Sequence, residues 1–509
     1  MKKIRDNSIY KILLFLILFF VLEATAFSQG RTYNWLLNRH SSPSSLEGRI
    51  IFTDTSLTAL PEQRVIPFVG TEGNISDENG NLLMSSNGIF IANATGDTMQ
   101  DGAGLNPNSY TDDWIQDGLP IPYGNIILPV PNDTNKYILF HLTGNYNSMY
   151  LSPTEIYYSI VDMSYNGGLG KVISKNNIIQ TGLFGGSFAA CKHGNGRDWW
   201  VVAFNDSANY VYKFLITPDT IQYTGSQFLN VQGWSGWAGQ PTFSLDGTKF
   251  AYSHYDISMG YYWQDIRLFD FDRCDGNFTF NSIAYLPDSV GGEGVAFSPN
   301  SQYLYVSSWK RIYQLDTYSA NVSASMQLVA TNDTFLSPSP PFYTDFWEMY
   351  LAANGKIYIT SGSSVVDLHY INYPDSADTV CDVHLHDLHL LGFHFRAVPN
   401  HPNYYLGRLV GSPCDTLTGI HDLAAHDFRF SISPNPNNGN FRIMYLLPQN
   451  KSGTLQIFNI TGKEIYHQNL PLWSTLQYIS LPKIADGVYK CTITSNNQRV
   501  NKKLVVVRE

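Results

Sequence analysis

The chain has 509 residues and a formal net charge of −10, with 14% aromatic and only 15% charged residues. A chain of this length is too long for a single ordinary hydrophobic core and predicts several domains. Repeat folds are the exception, because they grow by adding units. The abundance of Tyr and Phe favours an all-β extracellular protein over a cytosolic enzyme. The excess of acidic residues argues against a nucleic-acid partner, because nucleic-acid phosphates require a basic face.

The first 28 residues have the organisation of a signal peptide. Lys2, Lys3 and Arg5 form a basic start, and Ile12 to Leu22 is an unbroken apolar run. Ala24 to Ala26 then supplies the small residues of a cleavage site. An uncleaved anchor is the alternative, but this run is short for a membrane span of about 20 residues. No later segment resembles a membrane helix, so we predict export without a transmembrane span in the mature chain.

Residues 29–425 are predicted to form a repetitive body. One pattern recurs: a short apolar strand, a tight polar turn such as Asp246-Gly247 or Asn354-Gly355, and a second strand rich in Tyr, Val, Ile and Phe. The six copies begin at Ile75, Ile127, Ser187, Pro241, Gly294 and Met349. A spacing of about 50 to 60 residues is typical of four-stranded propeller blades, and no sustained helical period occurs.

Strand-like sequence also lies at both ends of the body. We expect the segment that starts at Arg49 and the segment Val380–Phe395 to complete one blade together. Such a blade closes the ring and removes free sheet edges. The predicted fold is therefore all-β, a roughly seven-bladed propeller followed by a small C-terminal β-sandwich. A tandem of β-sandwiches is the alternative.

Two groups of acidic turn residues resemble fragments of a calcium loop. They are Asp270, Asp272 and Asp275-Gly276 in one turn, and Asp77 to Gly80 in another. Neither group is followed by the distal glutamate that the complete motif needs. We interpret both as ordinary propeller turns.

Four tryptophans could stack on sugar rings, since exposed aromatic side chains suit flat ligands. Trp199 and Trp200 are adjacent, while Trp234 and Trp237 flank a Gly-rich stretch that runs into a repeat. Packing between neighbouring blades is the favoured interpretation of all four.

A histidine cluster near the end of the body is the one candidate metal site. His384 and His386 would share a face of a strand, and His389 or Asp387 could add a third ligand, with His394 and Asp382 nearby. However, the intervening leucines already explain an edge strand. We therefore predict no metal and no cofactor, and we interpret the histidines as structural.

Five cysteines show no metal-binding spacing. In an oxidising compartment one disulfide is plausible, and Cys381 with Cys414 is the preferred pair because both flank the end of the body. Free buried thiols are the alternative.

The charge changes sign near residue 430. Residues 431–509 carry nine basic and three acidic residues, a local charge of +6, which leaves −18 for residues 29–430. Such a reversal marks a domain boundary, and we place the last domain at residues 426–509.

This last domain resembles the type A C-terminal sorting domain of the type IX secretion system of Bacteroidetes. The resemblance rests on a Pro-Asn-Pro turn with a Gly-x-Phe entry, a Gly-Lys corner, a Gly-x-Tyr strand start and a final basic-then-apolar strand. The corresponding residues are Pro434, Asn435, Pro436, Gly439, Phe441, Gly462, Lys463, Gly487, Tyr489, Lys502 and Lys503. An Ig-like domain that binds carbohydrate is the alternative.

The resemblance implies that the outer-membrane export machinery recognises this domain. The domain is then usually removed, and the mature protein is attached to surface lipopolysaccharide or released. The body is also similar to uncharacterised propeller-like regions that precede this sorting domain in other proteins. The similarity lies in short sequence segments such as the one from Pro399 to Gly407. That similarity implies a fold and no activity.

No catalytic motif accompanies these features. The sequence lacks Gly-x-Ser-x-Gly, His-Glu-x-x-His and a phosphate loop. We therefore predict a binding or scaffold module for a surface glycan or protein ligand, located outside the cell or on its surface. An extracellular propeller hydrolase, acting on lactones or glycans, is the alternative. Converging buried acids and histidines in the central channel would favour that enzyme.

Overall fold

The computed structural model describes residues 30–507 with several gaps. The gaps are residues 38–46, 54–55, 63, 65, 149–150, 232–237, 259–260, 289–290, 339–340, 397, 410, 416–428, 434, 448–451, 472–475, 482 and 496–497. The predicted signal peptide therefore lies outside the described residues. Strands account for 52% of the residues and helices for 5%, which confirms the all-β prediction.

Six groups of four antiparallel strands follow one another along the body, and a parallel pairing of Gln100 with Lys171 joins the first two groups into one eight-stranded sheet. The first two groups are β4 (Gly73–Ser76), β5 (Leu82–Ser86), β6 (Phe90–Asn93), β7 (Thr98–Ala103), β8 (Asn125–Pro129), β9 (Lys136–His141), β10 (Glu155–Asp162) and β11 (Lys171–Thr181). The next two are β12 (Phe184–Lys192), β13 (Trp199–Asn205), β14 (Tyr210–Ile216), β15 (Ile221–Phe228), β16 (Ala238–Phe243), β17 (Lys249–Ser258), β18 (Tyr261–Asp272) and β19 (Asn277–Tyr285). The last two are β20 (Val295–Phe297), β21 (Tyr303–Ser308), β22 (Arg311–Asp316), β23 (Gln327–Thr331), β24 (Met349–Leu351), β25 (Ile357–Ile359), β26 (Val365–Ile371) and β27 (Val383–His394).

The first strands of these groups surround a central channel. Each contacts the first strand of the next group, from β4 through β8, β12, β16 and β20 to β24. The six predicted repeat copies coincide with the first hairpins of the six groups, so the propeller prediction is confirmed. A short helix, α1 (Ser109–Asp113), lies in a connection between two groups, and four single 3-10 turns complete the described elements.

The two ends of the channel differ in their connections. We call the end where the first strands begin the loop face; it carries long connections such as 104–124 and 332–348. We call the opposite end the turn face, which is built from tight turns such as Asp77–Gly80. In the turn at Asp246-Gly247, for example, Gly247 has a φ of +71° and its N–H bonds to the Ser244 carbonyl at 2.9 Å.

The N-terminal residues form a sheet of their own, so the prediction of one blade shared by both chain ends is wrong. Strands β1 (Asn34–Leu37), β2 (Glu47–Phe52) and β3 (Leu57–Glu62) pair only with one another in the described residues. The other predicted partner is β27, which pairs with β26. Each segment completes its own antiparallel pairing, and the two sheets then pack through their apolar faces rather than through strand edges.

The predicted disulfide between Cys381 and Cys414 is also wrong. Cys414 pairs with Cys274, in the turn between β18 and β19, and Cys381 is a buried free thiol. The reason is the path of the chain after β27, which crosses the body before it reaches Cys414.

The C-terminal domain consists of two packed antiparallel sheets. One contains β28 (Arg429–Ser433), β29 (Asn440–Leu446) and β32 (Leu476–Ser480). The other has the order β31 (Glu464–Leu470), β30 (Gly453–Phe458), β33 (Gly487–Ser495) and β34 (Gln498–Val506). Their inner faces share one apolar core that includes Phe441, Ile457 and Leu504. The domain contacts the turn face of the body, where an Nη1–H of Arg442 donates to the Ala353 carbonyl at 3.2 Å.

Candidate functional site

The central channel is occupied by the chain itself. After β27 ends at the loop face, residues 398–409, which we call the tail, pass through the channel to the turn face. Tyr404 and Leu406 are buried there, and the Tyr404 ring packs edge-on against Trp199 at 5.8 Å. The Leu409 N–H then donates to the Gly194 carbonyl at 2.6 Å, which fixes the exit.

Tail side chains bond to the first strands of four different groups. Asn400 Nδ2 donates to the Phe188 carbonyl on β12 at 2.9 Å, and His401 Nε2 lies 2.9 Å from the Asn74 carbonyl on β4. Further along, the Tyr404 hydroxyl donates to Ile127 on β8 at 2.8 Å, and Asn403 Nδ2 donates to Leu245, after β16, at 2.7 Å. These bonds satisfy inward-facing backbone carbonyls of the ring, as buried polar groups require.

Little space remains beside the tail. A cavity in the channel has a volume of about 150 Å³ and is lined by the tail together with residues such as Trp35, Gln240 and Tyr350. Small-molecule sites usually have volumes of about 300–1,000 Å³. With the tail in place, this cavity is therefore smaller than an ordinary small-molecule site.

Buried acids lie at the loop-face end of the channel. Glu72, Glu293 and Glu348 are at most 5% exposed, and the Tyr350 hydroxyl lies 3.5 Å from Glu348 Oε2. Burial raises the pKa of Glu348 well above its usual value, and the nearby Glu293 raises it further. Burial likewise raises the pKa of Glu72, although Arg64 opposes this effect. These carboxyl groups are therefore held in their protonated form far more readily than exposed glutamates.

Cations lie at the opposite end, on the turn face. Arg31 donates from its backbone to the Tyr405 hydroxyl at 3.1 Å, and Arg273 Nε donates to the Lys192 carbonyl at 2.9 Å. Lys192 is 9% exposed, and burial lowers its pKa to about 7, with the charges of Arg31 and Arg273 contributing in the same direction. Buried carboxyl groups therefore lie near the loop-face end of the channel, and buried cations lie near the turn-face end.

The histidines of the predicted cluster each have separate partners. His384 lies 3.0 Å from both Asp382 and Asp387 and stacks on Tyr370, whereas His386 lies 2.9 Å from Asp333. His389 lies 2.9 Å from Asp367. His386 has a φ of +42°, so the strand is irregular at this point and its simple alternation is broken. Among the described residues, no three His, Cys, Asp or Glu side chains converge as a metal site.

The other sequence candidates have local roles in the structure. Asp77 accepts the Asn79 N–H at 2.8 Å, and Asp272 accepts the Cys274 N–H at 2.7 Å, so both carboxylates stabilise turns. Trp199 and Trp200 are buried between sheets. Trp234 and Trp237 lie outside the described residues.

In the C-terminal domain, the Pro-Asn-Pro segment covers the edge of β34. Asn435 Oδ1 accepts the Val505 N–H and its Nδ2 donates to the Lys503 carbonyl, both at 2.7 Å. Asn437 adds backbone bonds to Val505 and Val507 on the same edge. This segment therefore protects an edge strand and fixes the position of Lys503. Pro434 lies outside the described residues, and Pro436 follows Asn435 within the covering segment.

The remaining motif residues shape turns or the core. Gly439 (φ +101°) and Gly462 (φ +82°) occupy turn conformations that favour glycine, and the exposed Lys463 follows the second of them. Phe441 is buried in the core, and the Tyr489 hydroxyl, just after Gly487, donates to the Ala485 carbonyl at 2.7 Å. Lys502 and Lys503 are exposed on β34.

Sequence reasoning missed the tail as a channel element. The phrase from Pro399 to Gly407 is neutral and rich in Asn, Pro and Tyr, without the alternation of a strand. This segment lacks the alternation of a strand and contains two adjacent tyrosines and a leucine, which a polar loop seldom has. That composition is the signal from which a buried, irregular segment could have been predicted.

Residues 431–507 match the family model described as secretion system C-terminal sorting domain. This match confirms the resemblance to the type IX sorting domain, which implies export and an interaction with the type IX machinery. No curated protein matches the chain. No helix in the described part of the chain has the length and hydropathy needed to cross a membrane.

Several solved structures resemble the chain at low similarity. A protein assigned as a 6-phosphogluconolactonase from Bacteroides fragilis is 13% identical, with 62% of this chain and 94% of that chain covered and a TM-score of 0.31. Another from Bacteroides uniformis is 11% identical, with 88% and 100% covered and a TM-score of 0.36. Sqt1 from Chaetomium thermophilum is 11% identical, with 86% and 92% covered and a TM-score of 0.31. These similarities carry no statement about activity.

Proposed function

We propose that this chain is a cargo of the type IX secretion pathway whose propeller body is a binding or scaffold module. In this proposal residues 1–28 are a signal peptide, residues 29–425 are the body, and residues 426–509 are the export tag. The ligand of the body is a surface glycan or a protein. The destination is the cell surface or the medium.

The observation that supports a binding module is the tail in the channel. A propeller enzyme needs converging catalytic groups that a substrate can reach. Here the tail fills the channel, and its bonds to four groups of strands make it part of the fold. The ligand-binding surface is therefore expected on the outer loops and not within the ring.

A second candidate function, an extracellular hydrolase, is favoured by one observation. Glu348 and Glu72 are buried acids with raised pKa values beside Tyr350, and such groups are frequent in active sites. Hydrolysis of lactones or glycosides by the purified body, lost in Glu348→Gln, would favour the enzyme over the binding module.

Export is tested by deleting residues 431–509. We expect the truncated chain to retain a folded body but to remain in the periplasm, because the export machinery no longer has a tag to recognise. Cell fractionation measures the periplasmic, surface and released amounts against the full chain. A truncated chain that reached the surface or medium at the full-length level would show that the export assignment is wrong.

A further inference from the structure

We propose that a basic groove on the C-terminal domain is the surface on which an acidic segment of the export machinery docks. This inference rests on the proposed function of the domain as an export tag, and it identifies the recognition surface. Three cations lie on the outer face of the sheet at this groove, namely Lys490, Arg499 and Lys503, and Lys502 adjoins them on β34. The apolar side chains of the groove are Phe458, Ile460 and Val488, and its volume is about 630 Å³.

Strand pairing sets three of these side chains in one row. Phe458 on β30 is directly opposite Lys490 on β33, which is directly opposite Lys503 on β34. Directly opposite residues of antiparallel strands project from the same face of a sheet. The row therefore places an aromatic ring beside two ammonium groups on the outer face.

The positive charges of the groove are not balanced by ion pairs among the described residues of the domain. Like charges directly opposite each other destabilise a sheet, yet Lys490 and Lys503 occupy such a pair. In the described part of the chain, Lys490, Arg499 and Lys503 form no ion pair. Glu464, opposite Phe458 on the other side, instead accepts a hydrogen bond from Gln456 at 2.6 Å and lies 3.5 Å from His467. An arrangement that costs stability and has no ion-pair partner in the described part of the chain indicates an external anionic partner.

Exposed apolar side chains accompany these cations. Ile460 is 87% exposed and Val488 is 44% exposed, while the Arg499 guanidinium lies 5.8 Å from the Phe458 ring centroid. A domain with its own buried core gains nothing from exposing Ile460 in this position. Apolar surface with a rim of one charge is typical of a protein-binding site.

The sorting motif itself holds this groove in place. Asn435 bonds to the backbone of β34 at Lys503 and Val505, and so fixes the strand that carries Arg499 and Lys503. Gly462 lines the groove beside Ile460. The motif residues therefore act as positioning residues for a binding surface.

These features favour an acidic polypeptide over a phosphorylated lipid. Phosphate recognition typically uses clustered, often bidentate arginines, whereas this groove has one arginine and combines its cations with three apolar side chains. A segment that alternates Asp or Glu with Leu would pair its carboxylates with the cations. Its apolar side chains would cover Ile460 and Val488.

The test uses full-length chains with reversed charges in producing cells. Lys490→Glu with Arg499→Glu changes the summed charge of Lys490, Arg499 and Lys503 from +3 to −1, and Lys483→Glu, outside the groove, is a control that matches the charge change of Lys490→Glu alone. The single variant Lys490→Glu converts a like-charge pair into an opposite-charge pair with Lys503. Its thermal stability should equal or exceed that of the wild type, so a defect of this variant cannot be attributed to misfolding.

We expect export of the double variant to fall by about tenfold or more, and export of Lys483→Glu to be unchanged. Purified full-length chain should bind a labelled peptide of alternating Glu and Leu, and the double variant should lose that binding. A Gln-for-Glu peptide and vesicles with phosphatidylglycerol are the comparison probes. Binding to the vesicles but not to the acidic peptide would overturn the proposal.

The export result also separates this inference from the proposed function. If deletion of residues 431–509 blocks export but the double variant is exported normally, the groove is not the recognition surface and the tag assignment stands. If the deletion itself leaves export unchanged, the proposed function fails.

Discussion

Lys192 is a lysine whose charged group is enclosed at the turn-face end of the channel. Its ammonium donates to the Arg197 carbonyl at 3.0 Å and lies 3.8 Å from the Trp199 ring centroid. One hydrogen bond and one aromatic face replace the water that an exposed lysine would have. Burial and the neighbouring Arg31 and Arg273 consequently lower its pKa to about 7.

This environment predicts a stability that depends on pH. The folded protein releases the Lys192 proton near pH 7, whereas the unfolded chain holds it to about pH 10.4. The unfolded state therefore binds more protons between these values, and the contribution of Lys192 to stability rises with pH by at most about 1.4 kcal/mol per unit. Lys192→Met should remove this contribution. Denaturant titrations of both proteins at pH 7, 8 and 9 measure it, and parallel pH profiles would contradict the prediction.

Single residues mark the limit of what the sequence could predict here. The spacing of His384 and His386 predicts a shared strand face, but His386 has a positive φ and the two rings have different partners. His384 lies beside Asp382 and Asp387, whereas His386 lies beside Asp333. The structural interpretation of these histidines remains a prediction. The sequence also did not predict the disulfide partner of Cys414, because that partner, Cys274, is 140 residues away in sequence.

The N-terminal sheet, β1 to β3, is the element that joins the two ends of the ring. On one side Trp35 and Phe52 pack with Tyr358 and Leu368 of the last group. On the other side Leu36 packs in a cluster with Ile66 and Leu82 of the first group. Because β1 presents apolar side chains in both directions, the sheet connects groups that are adjacent in space but distant in sequence.

Replacement of Trp35 tests this connection. Trp35 is 2% exposed and makes edge-on contacts with Phe52, Tyr350 and Tyr358. We expect Trp35→Ala to reduce the free energy of unfolding of the whole body by about 3–5 kcal/mol. Leu60→Ala, on the outer strand of the same sheet and 38% exposed, is the control and should change it by less than about 0.5 kcal/mol.

Thermal unfolding and limited proteolysis distinguish the possible results. A Trp35→Ala protein that released residues 30–62 while the rest kept its melting temperature would show that the sheet is an accessory. A lower melting temperature of the entire body would show that the sheet closes the ring.

Hairpins were the elements that the sequence predicted best. Turn residues such as Asp246-Gly247 and the period of the repeats are local signals, and all six predicted copies are first hairpins of four-stranded groups. The closure of the ring and the course of the tail depend on contacts between distant segments. His401 with Asn74, 327 residues apart, is one of them. No local pattern encodes such a contact.

Across the whole molecule, the tail and the disulfide act together as a clasp. The tail binds the strands around the channel, and the bond between Cys274 and Cys414 then fixes its exit at the turn face. Arg273, next to Cys274, also donates to the Gly407 carbonyl. All residues of this clasp precede the C-terminal domain in the chain. Removal of that domain would therefore leave the clasp intact.

Reduction of this disulfide is expected to weaken the clasp without unfolding the ring. The bond joins residues 140 positions apart, and loss of such a constraint costs about 2–5 kcal/mol, while the hydrogen bonds of Asn400 and Tyr404 remain. Denaturant titration with and without reductant measures the loss.

Cleavage by trypsin after Arg408, followed by mass spectrometry, reports release of the tail. The variant with Cys274→Ser and Cys414→Ser should resemble the reduced protein and should not respond to reductant. If reduction left both the free energy of unfolding and the cleavage rate unchanged, the noncovalent contacts of the tail alone would hold the channel closed.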